Sequence, residues 1–326
     1  MKLTQKTADV LSAVQLSYSA SYGELAEITG HKEHAIRYAM EQLRANNIIQ
    51  PYPFLNIDIL GYVKYFVLVS LIPGKSKGDA EFFSYLENSD QVSWIVEVGG
   101  DYQCGFCLCV RSSQQAHNFL TELSKTFGDV IVEKSVATIV SHAIFGRKYL
   151  SQEILPGTAV YAGESKAPDN KRYELDQIDK KILSGLSSRQ FYSNAQAARA
   201  LDIPTTTFDS RILKLKAKGI LVRQMYSINI AELGLLQYRL LIHCRGWAPR
   251  LQKKLYSFFR EHPRVVSAVS YLGAWDFDCR VEVKEPLEVT KVRQELFERF
   301  KADILSIKVI PQFREPKFNM YPFTVD

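Results

Sequence analysis

No stretch of this chain is long and apolar enough to span a membrane. Such a segment needs roughly 18 to 20 consecutive apolar residues, and no run here approaches that length. The opening residues, Met1 to Asp9, mix Lys, Thr and Gln where a secretory leader would carry an apolar stretch. No membrane partner is therefore expected, and a cytoplasmic location is. Cysteine is scarce: there are 5 in 326 residues, an odd number, with none before Cys104. That excludes a disulfide-dense secreted scaffold and points to reduced thiols. A strong excess of one charge is also missing, since 41 basic against 35 acidic side chains leave only +6 at pH 7. This balance permits nucleic-acid binding without demanding it. At 326 residues the chain exceeds a comfortable single core, so two or more domains are expected.

What the chain does have is an internal repeat. Leu55-Asn56-Ile57-Asp58-Ile59-Leu60-Gly61-Tyr62 returns as Ile228-Asn229-Ile230-Ala231-Glu232-Leu233-Gly234-Leu235, an offset of 173 from Gly61 to Gly234. The same offset carries Gly100 onto Gly273, Tyr102 onto Trp275, Phe127 onto Phe300 and Val136 onto Val309. Upstream the offset is 172: Leu3 matches Leu175, Val10 matches Ile182, Ala26 matches Ala198, Leu43 matches Leu215 and Ile48 matches Ile220. One residue has been gained between the helical start of a repeat and its strand-rich remainder. Between the copies, residues 151–172 are rich in turn formers and read as a linker.

The second copy is the easier to read. Leu175, Ile178, Ile182, Leu183 and Leu186 make one face of a helix. Ser193 or Asn194 can cap a second helix, and Thr205 or Thr206 a third, whose Phe208, Ile212 and Leu215 fall at i, i+4 and i+7. Three short helices with the tight turn at Leu201-Asp202-Ile203-Pro204 make a helix-turn-helix, with residues 220–226 as a short wing. Strands are then expected near 240–244, 265–271, 276–283 and 304–311, with helices near 249–262 and 289–300 between them. This β-α-β-β-α-β order is the ferredoxin-like arrangement. The expected class is α+β: two tandem repeats, each a winged helix-turn-helix followed by a ferredoxin-like domain. The boundaries are 1–54 and 55–150 in the first repeat, and 173–227 and 228–326 in the second.

Leu175-Asp176-Gln177-Ile178-Asp179, Ile203-Pro204-Thr205-Thr206-Thr207-Phe208, Arg211-Ile212, Gly219-Ile220 and Gly273-Ala274-Trp275-Asp276, in this order and spacing, resemble the Lrp/AsnC (feast/famine) family of regulators. Two copies cover nearly the whole chain. The resemblance implies a sequence-specific transcriptional regulator with double-stranded DNA as partner, modulated by an amino acid or similar small metabolite. It also implies paired units, hence a pseudo-dimer within one chain and further homo-oligomerisation, with no cofactor.

The residues expected to meet DNA lie on the third helices. In the second copy these are Thr205, Thr206, Asp209, Ser210, Arg211 and Lys214, where hydroxyls suit phosphates and Arg can read guanine edges. In the first copy they are Lys32, His34, Arg37 and Tyr38, with Glu33 and Glu41 intruding. The family's sensing site lies at the turn between the second and third strands. By resemblance this selects Gly273, Ala274, Trp275 and Asp276, together with Gly100, Asp101 and Gln103 in the first copy. The acid is kept only in the second.

Two enzymatic or metal-binding readings compete. Cys104-x-x-Cys107-x-Cys109 invites a metal, but strand alternation sends Cys107 and Cys109 to one face and Cys104 to the other. Core packing and no metal are expected. Siroheme decarboxylases, including fused two-copy forms, also resemble Lrp/AsnC proteins, and carry a His/Arg-rich segment entering the first ferredoxin-like strand. The matching stretches here run from Gly61 to Phe66 and from Gly234 to Arg239, and only Arg239 is suggestive. The expectation is a regulator and not an enzyme; the alternatives are such a tetrapyrrole enzyme, or a sensory or scaffold protein that no longer binds DNA.

Overall fold

The computed structural model describes residues 3–18, 20–72, 76–163, 173–187, 191–246 and 249–323. The linker residues 164–172 lie outside them. In the first copy, helices α1 (Gln5–Val14), α2 (Tyr22–Thr29) and α3 (Glu33–Ala45) precede strand β1 (Ile49–Leu55). The ferredoxin-like part follows: β2 (Val63–Leu71), α4 (Ser76–Asn88), β3 (Val92–Glu97), β4 (Cys104–Val110), α5 (Ser113–Phe127) and β5 (Ile131–Ile144). A short β6 (Val160–Ala162) sits in the expected linker and pairs with β5. The second copy repeats the order as α6 (Gln177–Ser187), α7 (Asn194–Ala200), α8 (Thr205–Ala217), β7 (Leu221–Ile228), β8 (Leu236–Cys244), α9 (Pro249–Glu261), β9 (Val265–Gly273), β10 (Phe277–Val283), α10 (Pro286–Phe300) and β11 (Ile304–Gln312). A last strand, β12 (Lys317–Phe318), closes the chain.

The two offsets hold element by element. α3 and α8 are 172 apart at both ends, and α5 and α10 are 173 apart. Gly61 and Gly234 each end a 3-10 turn in the left-handed region, at φ 80° and 67°, which explains why both copies keep glycine there. The gained residue is visible too. β1 pairs antiparallel with β7, and the register shifts where Phe54 faces Arg223 but Leu55 faces Leu221, leaving Val222 over as a bulge.

That pairing was not foreseen. The wing strand of each copy finds its partner in the other copy, so the two helix-turn-helix units share one two-stranded ribbon. Tyr226 and Ile228 of β7 pack into the first unit's core, with Leu11, Ile36, Met40 and Leu43. Leu55, Ile57 and Leu60 pack into the second's, with Ile182, Phe208 and Leu215.

The ferredoxin-like sheets join in the same reciprocal manner. The strand order is β11-β8-β10-β9-β5-β2-β4-β3-β12, so β5 of the first copy pairs with β9 of the second, from Ala137 opposite Gly273 to Ile144 opposite Ser267. At the other edge, β3 meets the end of β11 through Gly99 N–H donating to Pro311 O (3.0 Å), Phe313 N–H to Glu97 O (2.9 Å) and Glu97 N–H to Arg314 O (2.8 Å). Sheet edges that would otherwise invite foreign strands are thereby consumed within the chain. Between the sheets lies a mixed core of Phe66, Leu68, Val96 and Tyr102 from one copy, with Leu241, Val269, Tyr271 and Trp275 from the other. The opposite faces carry α4 and α5 over Val67, Val69 and Phe106, and α9 and α10 over Leu240, Ile242 and Val281. Strands buried on both faces read as unbroken apolar runs, and β2 does so from Phe66 to Val69.

Strand alternation divides the thiols as expected. Cys104 packs under the helices with Phe106 and Leu108, whereas Cys107 and Cys109 face the second helix-turn-helix.

The seam carries a titratable group. His142 on β5 lies edge-on to Phe54 at 5.2 Å, and burial, with the cations Arg280, Lys64 and Arg239, holds its imidazole well below the usual 6.5. The unfolded chain takes up a proton near 6.5 that the folded one does not, so the contribution is present above that pH and is lost as pH falls. Stability is expected to decline below about pH 6.5 by up to about 1.4 kcal/mol per pH unit. Denaturant unfolding across pH 4 to 8 should show this slope, and His142→Phe should flatten it.

Candidate functional sites

The third helices of the two helix-turn-helix units differ from their neighbours at one point. α1, α2, α5 and α7 begin under a Ser or Thr side chain (Thr4, Ser21, Ser112, Ser193) that accepts a backbone N–H. α3 and α8 begin after Lys32 and Pro204, with no side-chain cap. Thr205 and Thr206, expected as caps, are instead the first helical residues, and both are exposed. The first N–H groups of each helix stay open, an arrangement suited to phosphate oxygens. Lys32, His34, Arg37 and Tyr38 are exposed around the start of α3; on α8 the exposed Asp209 and Ser210 follow the start, whereas the exposed Lys214 and Lys216 lie in its last turn and Lys218 just past it. Arg37 lies over the Tyr22 ring at 5.1 Å. Asp209 accepts from Asn194 Nδ2 at 3.1 Å.

Arg211 is placed otherwise than the sequence suggested. Its guanidinium donates to Asp176 and, at 3.2 Å, to Asp179, whose side chain is 1% exposed. It thus ties α8 to the start of α6 and is not a free base-reading arm. The two acids were visible as part of the family-like stretch at 175–179, but nothing in the sequence says that they point at α8. Arg211→Ala is therefore expected to lower the folding stability of the chain by about 1–3 kcal/mol, because Asp179 loses its donor in a buried position. A melting temperature equal to that of the parent would overturn this account.

The two turns proposed for sensing both lie at seams between the copies. Gly273 has φ 140°, and a Cβ there would meet Val136 O at 2.8 Å and Ala137 Cα at 2.9 Å, so the glycine admits the neighbouring strand. Trp275 is buried in the inter-sheet core, with its indole N–H unpartnered. Asp276 accepts from the Cys244 N–H at 2.7 Å. Ala274 donates its N–H to Val136 O at 3.2 Å. In the other copy Gly100 takes φ 86°, Asp101 pairs with Lys308 at 2.7 Å, and Gln103 accepts from the Leu71 N–H and donates to Gly100 O. Most of these polar groups are already engaged within the chain.

Two polar arrangements were missed. The first lies between the sheets: Arg239 donates to Asp278 and to Tyr271 Oη (3.3 Å), while Tyr271 Oη donates to Asp278 at 2.5 Å. The Arg239 guanidinium stacks on Phe66 (4.8 Å) and Trp94 (5.1 Å). The second is a cleft of about 600 Å³ where the ribbon, the second sheet and the C-terminal segment meet. Two of its lining residues, Arg147 and Gln237, donate to Glu282, which is fully buried behind them and accepts from Arg147 Nε (2.8 Å) and Nη2 (2.9 Å), from Gln237 Nε2 (3.3 Å) and from Tyr149 Oη. Acids such as Asp278 and Glu282 on an otherwise buried strand were the available signal. Among the described residues no cluster of metal-ligating side chains is found.

Together these features define a duplicated architecture: two helix-turn-helix units and two ferredoxin-like units folded into one pseudo-symmetric body. No protein-family model matches the chain. Over 113 residues it is 26% identical to the HTH-type transcriptional regulator FL11 of Pyrococcus abyssi, covering 34% of this chain and 73% of that protein. The FL11 protein of Pyrococcus furiosus matches to the same extent. Among solved structures, the siroheme decarboxylase NirDL in complex with an iron-uroporphyrin III analogue superposes with a TM-score of 0.62, at 13% identity, over 98% of this chain and 94% of its own. That likeness is one of fold. It nevertheless overturns the expectation that the chain is not an enzyme, because an enzyme shares the architecture over nearly its full length. Arg239, set aside in the sequence as merely suggestive, proves to be the centre of the inter-sheet network.

Proposed function

We propose that the chain is a DNA-binding transcriptional regulator whose α3 and α8 carry the nucleic-acid contacts. The observation that carries this reading is the pair of uncapped helix starts, the first flanked by exposed Lys32, His34 and Arg37, the second by exposed Thr205, Thr206 and Ser210 with Lys214 and Lys216 in the last turn of the same helix, and the two units held together by the β1–β7 ribbon. Phosphate contacts are expected to predominate, since Arg211 is engaged with Asp176 and Asp179. The similarity to FL11 supports the reading over a third of the chain. Fluorescence anisotropy with a labelled duplex is expected to show affinity falling steeply with salt, and Lys32→Ala and Arg37→Ala each to reduce the log–log slope by about 1. Binding that does not respond to salt would sink it. An amino acid or similar metabolite belongs to this reading as effector, acting at the seam turns around Gly273–Asp276 and Gly100–Gln103. A thermal-shift screen tests it, with Asp276→Ala expected to abolish the shift.

The superposition with NirDL favours a second reading, in which the same body acts on a tetrapyrrole. Titration with iron-uroporphyrin III separates the two: a saturable Soret shift supports the enzyme, and an unaltered spectrum removes it.

A further inference from the structure

The cleft at the second seam has a pseudo-equivalent, and the comparison of the two is informative. Through the offset of 173, Arg280, Gln312 and Leu235 of the cleft correspond to Cys107, Ile139 and Tyr62. Those three pack into an apolar cluster with Met320, Tyr321 and Phe323 of the C-terminal segment, the Phe323 ring stacking on Tyr62 at 4.0 Å. One seam is thus plugged by aromatic side chains. At the other, Arg147 stands in the place of Met320 and reaches Glu282, which stands in the place of Cys109. Polar side chains have replaced apolar ones at several positions, and a cleft remains.

Inside the cleft Gln312 is 7% exposed, and neither its amide oxygen nor its amide nitrogen has a hydrogen-bond partner. A buried amide left in this state costs free energy unless something else satisfies it. Arg280, which also lines the cleft, donates through Nε to Ser267 Oγ at 3.2 Å, while its Nη1 stands 3.8 Å from Glu315, beyond hydrogen-bond length. Leu236, Val266 and Phe313 supply apolar wall. A donor amide and a loosely paired guanidinium above an apolar wall match a carboxylate carried on an apolar frame.

We propose that this cleft binds an organic carboxylate with an apolar body, one per chain, with Arg280 and Gln312 holding the carboxylate. The site is separate from the third helices and does not depend on whether they hold DNA. Anilinonaphthalene sulfonate, an anionic aromatic reporter, serves as the probe with the full chain. It is expected to bind at one site, to be displaced by octanoate, and to be displaced by octanol at least about tenfold less well, a difference of about 1.4 kcal/mol. Arg280→Gln and Gln312→Met are each expected to weaken octanoate about tenfold, with melting curves confirming that both variants stay folded; Gln312→Asn replaces Gln312→Met if that variant unfolds. Absence of displaceable probe, equal competition by octanol, or unchanged octanoate affinity in either variant overturns the proposal.

Discussion

Glu282→Ala is expected to destabilise the protein by about 3–5 kcal/mol, more than any surface substitution. The carboxylate is fully buried and receives Arg147, Gln237 and Tyr149, and the Arg147 side chain is only 12% exposed. Deleting the acid leaves that largely buried guanidinium without its carboxylate partner. Burial alone would discourage the Arg147 charge, and the adjacent Glu282 more than reverses this, so the guanidinium stays charged and pays the full penalty of isolation. Arg147 leaves the first copy directly after β5, whereas Glu282 belongs to the second, so the pair also fixes how the copies sit together. Glu282→Gln keeps the shape and part of the hydrogen bonding and should lose less. Equilibrium urea unfolding of both variants checks the order, and a loss below about 1 kcal/mol for Glu282→Ala would refute this role.

Arg239→Leu is expected to cost a comparable 3–5 kcal/mol, for a different reason, and the cost should largely vanish in the double variant Arg239→Leu with Asp278→Leu. In the single variant Asp278, 1% exposed, keeps only the Tyr271 hydroxyl. The double variant removes both charges from an interior walled by Phe66, Trp94 and Trp275. The parent network is imperfect, with Arg239 Nε and Asp278 Oδ1 unpartnered, so an apolar replacement has little to lose. A double variant as unstable as the single would show that the network stabilises the fold in its own right.

The repeat, the helix-turn-helix cores and the ferredoxin-like order were legible in the sequence because each rests on local periodicity. Ile36, Met40 and Leu43, or Phe208, Ile212 and Leu215, face inward by helix geometry alone, and the structure places them so. The paired wing strands were not legible, since the partner of Ile49 is Ile228, 179 residues away, and no local signal names a partner at that distance. Arg211 was misjudged for a related reason. Helical spacing puts it on the exposed side of its own helix, yet that side faces Asp176 and Asp179 of another element. The cleft was not legible because its walls come from the ribbon, the second sheet and the C-terminal segment, which are far apart in the sequence.

The pairings that join the two copies are made between parts of one polypeptide: the ribbon, both sheet seams, and the C-terminal segment, whose β12 returns to Ile95 and Trp94 of the first copy. Association of the halves is therefore insensitive to dilution, because the effective concentration of one half near the other is set by the connecting chain. Such tethering also relaxes a constraint that a homodimer cannot escape. In a symmetric pair, every substitution near the axis meets its own copy, and an arginine there would face an arginine. In this chain the counterpart of Arg239 is Phe66, on which it stacks. Covalent linkage has let facing positions drift toward complementarity, one half supplying the cation and the other the aromatic face.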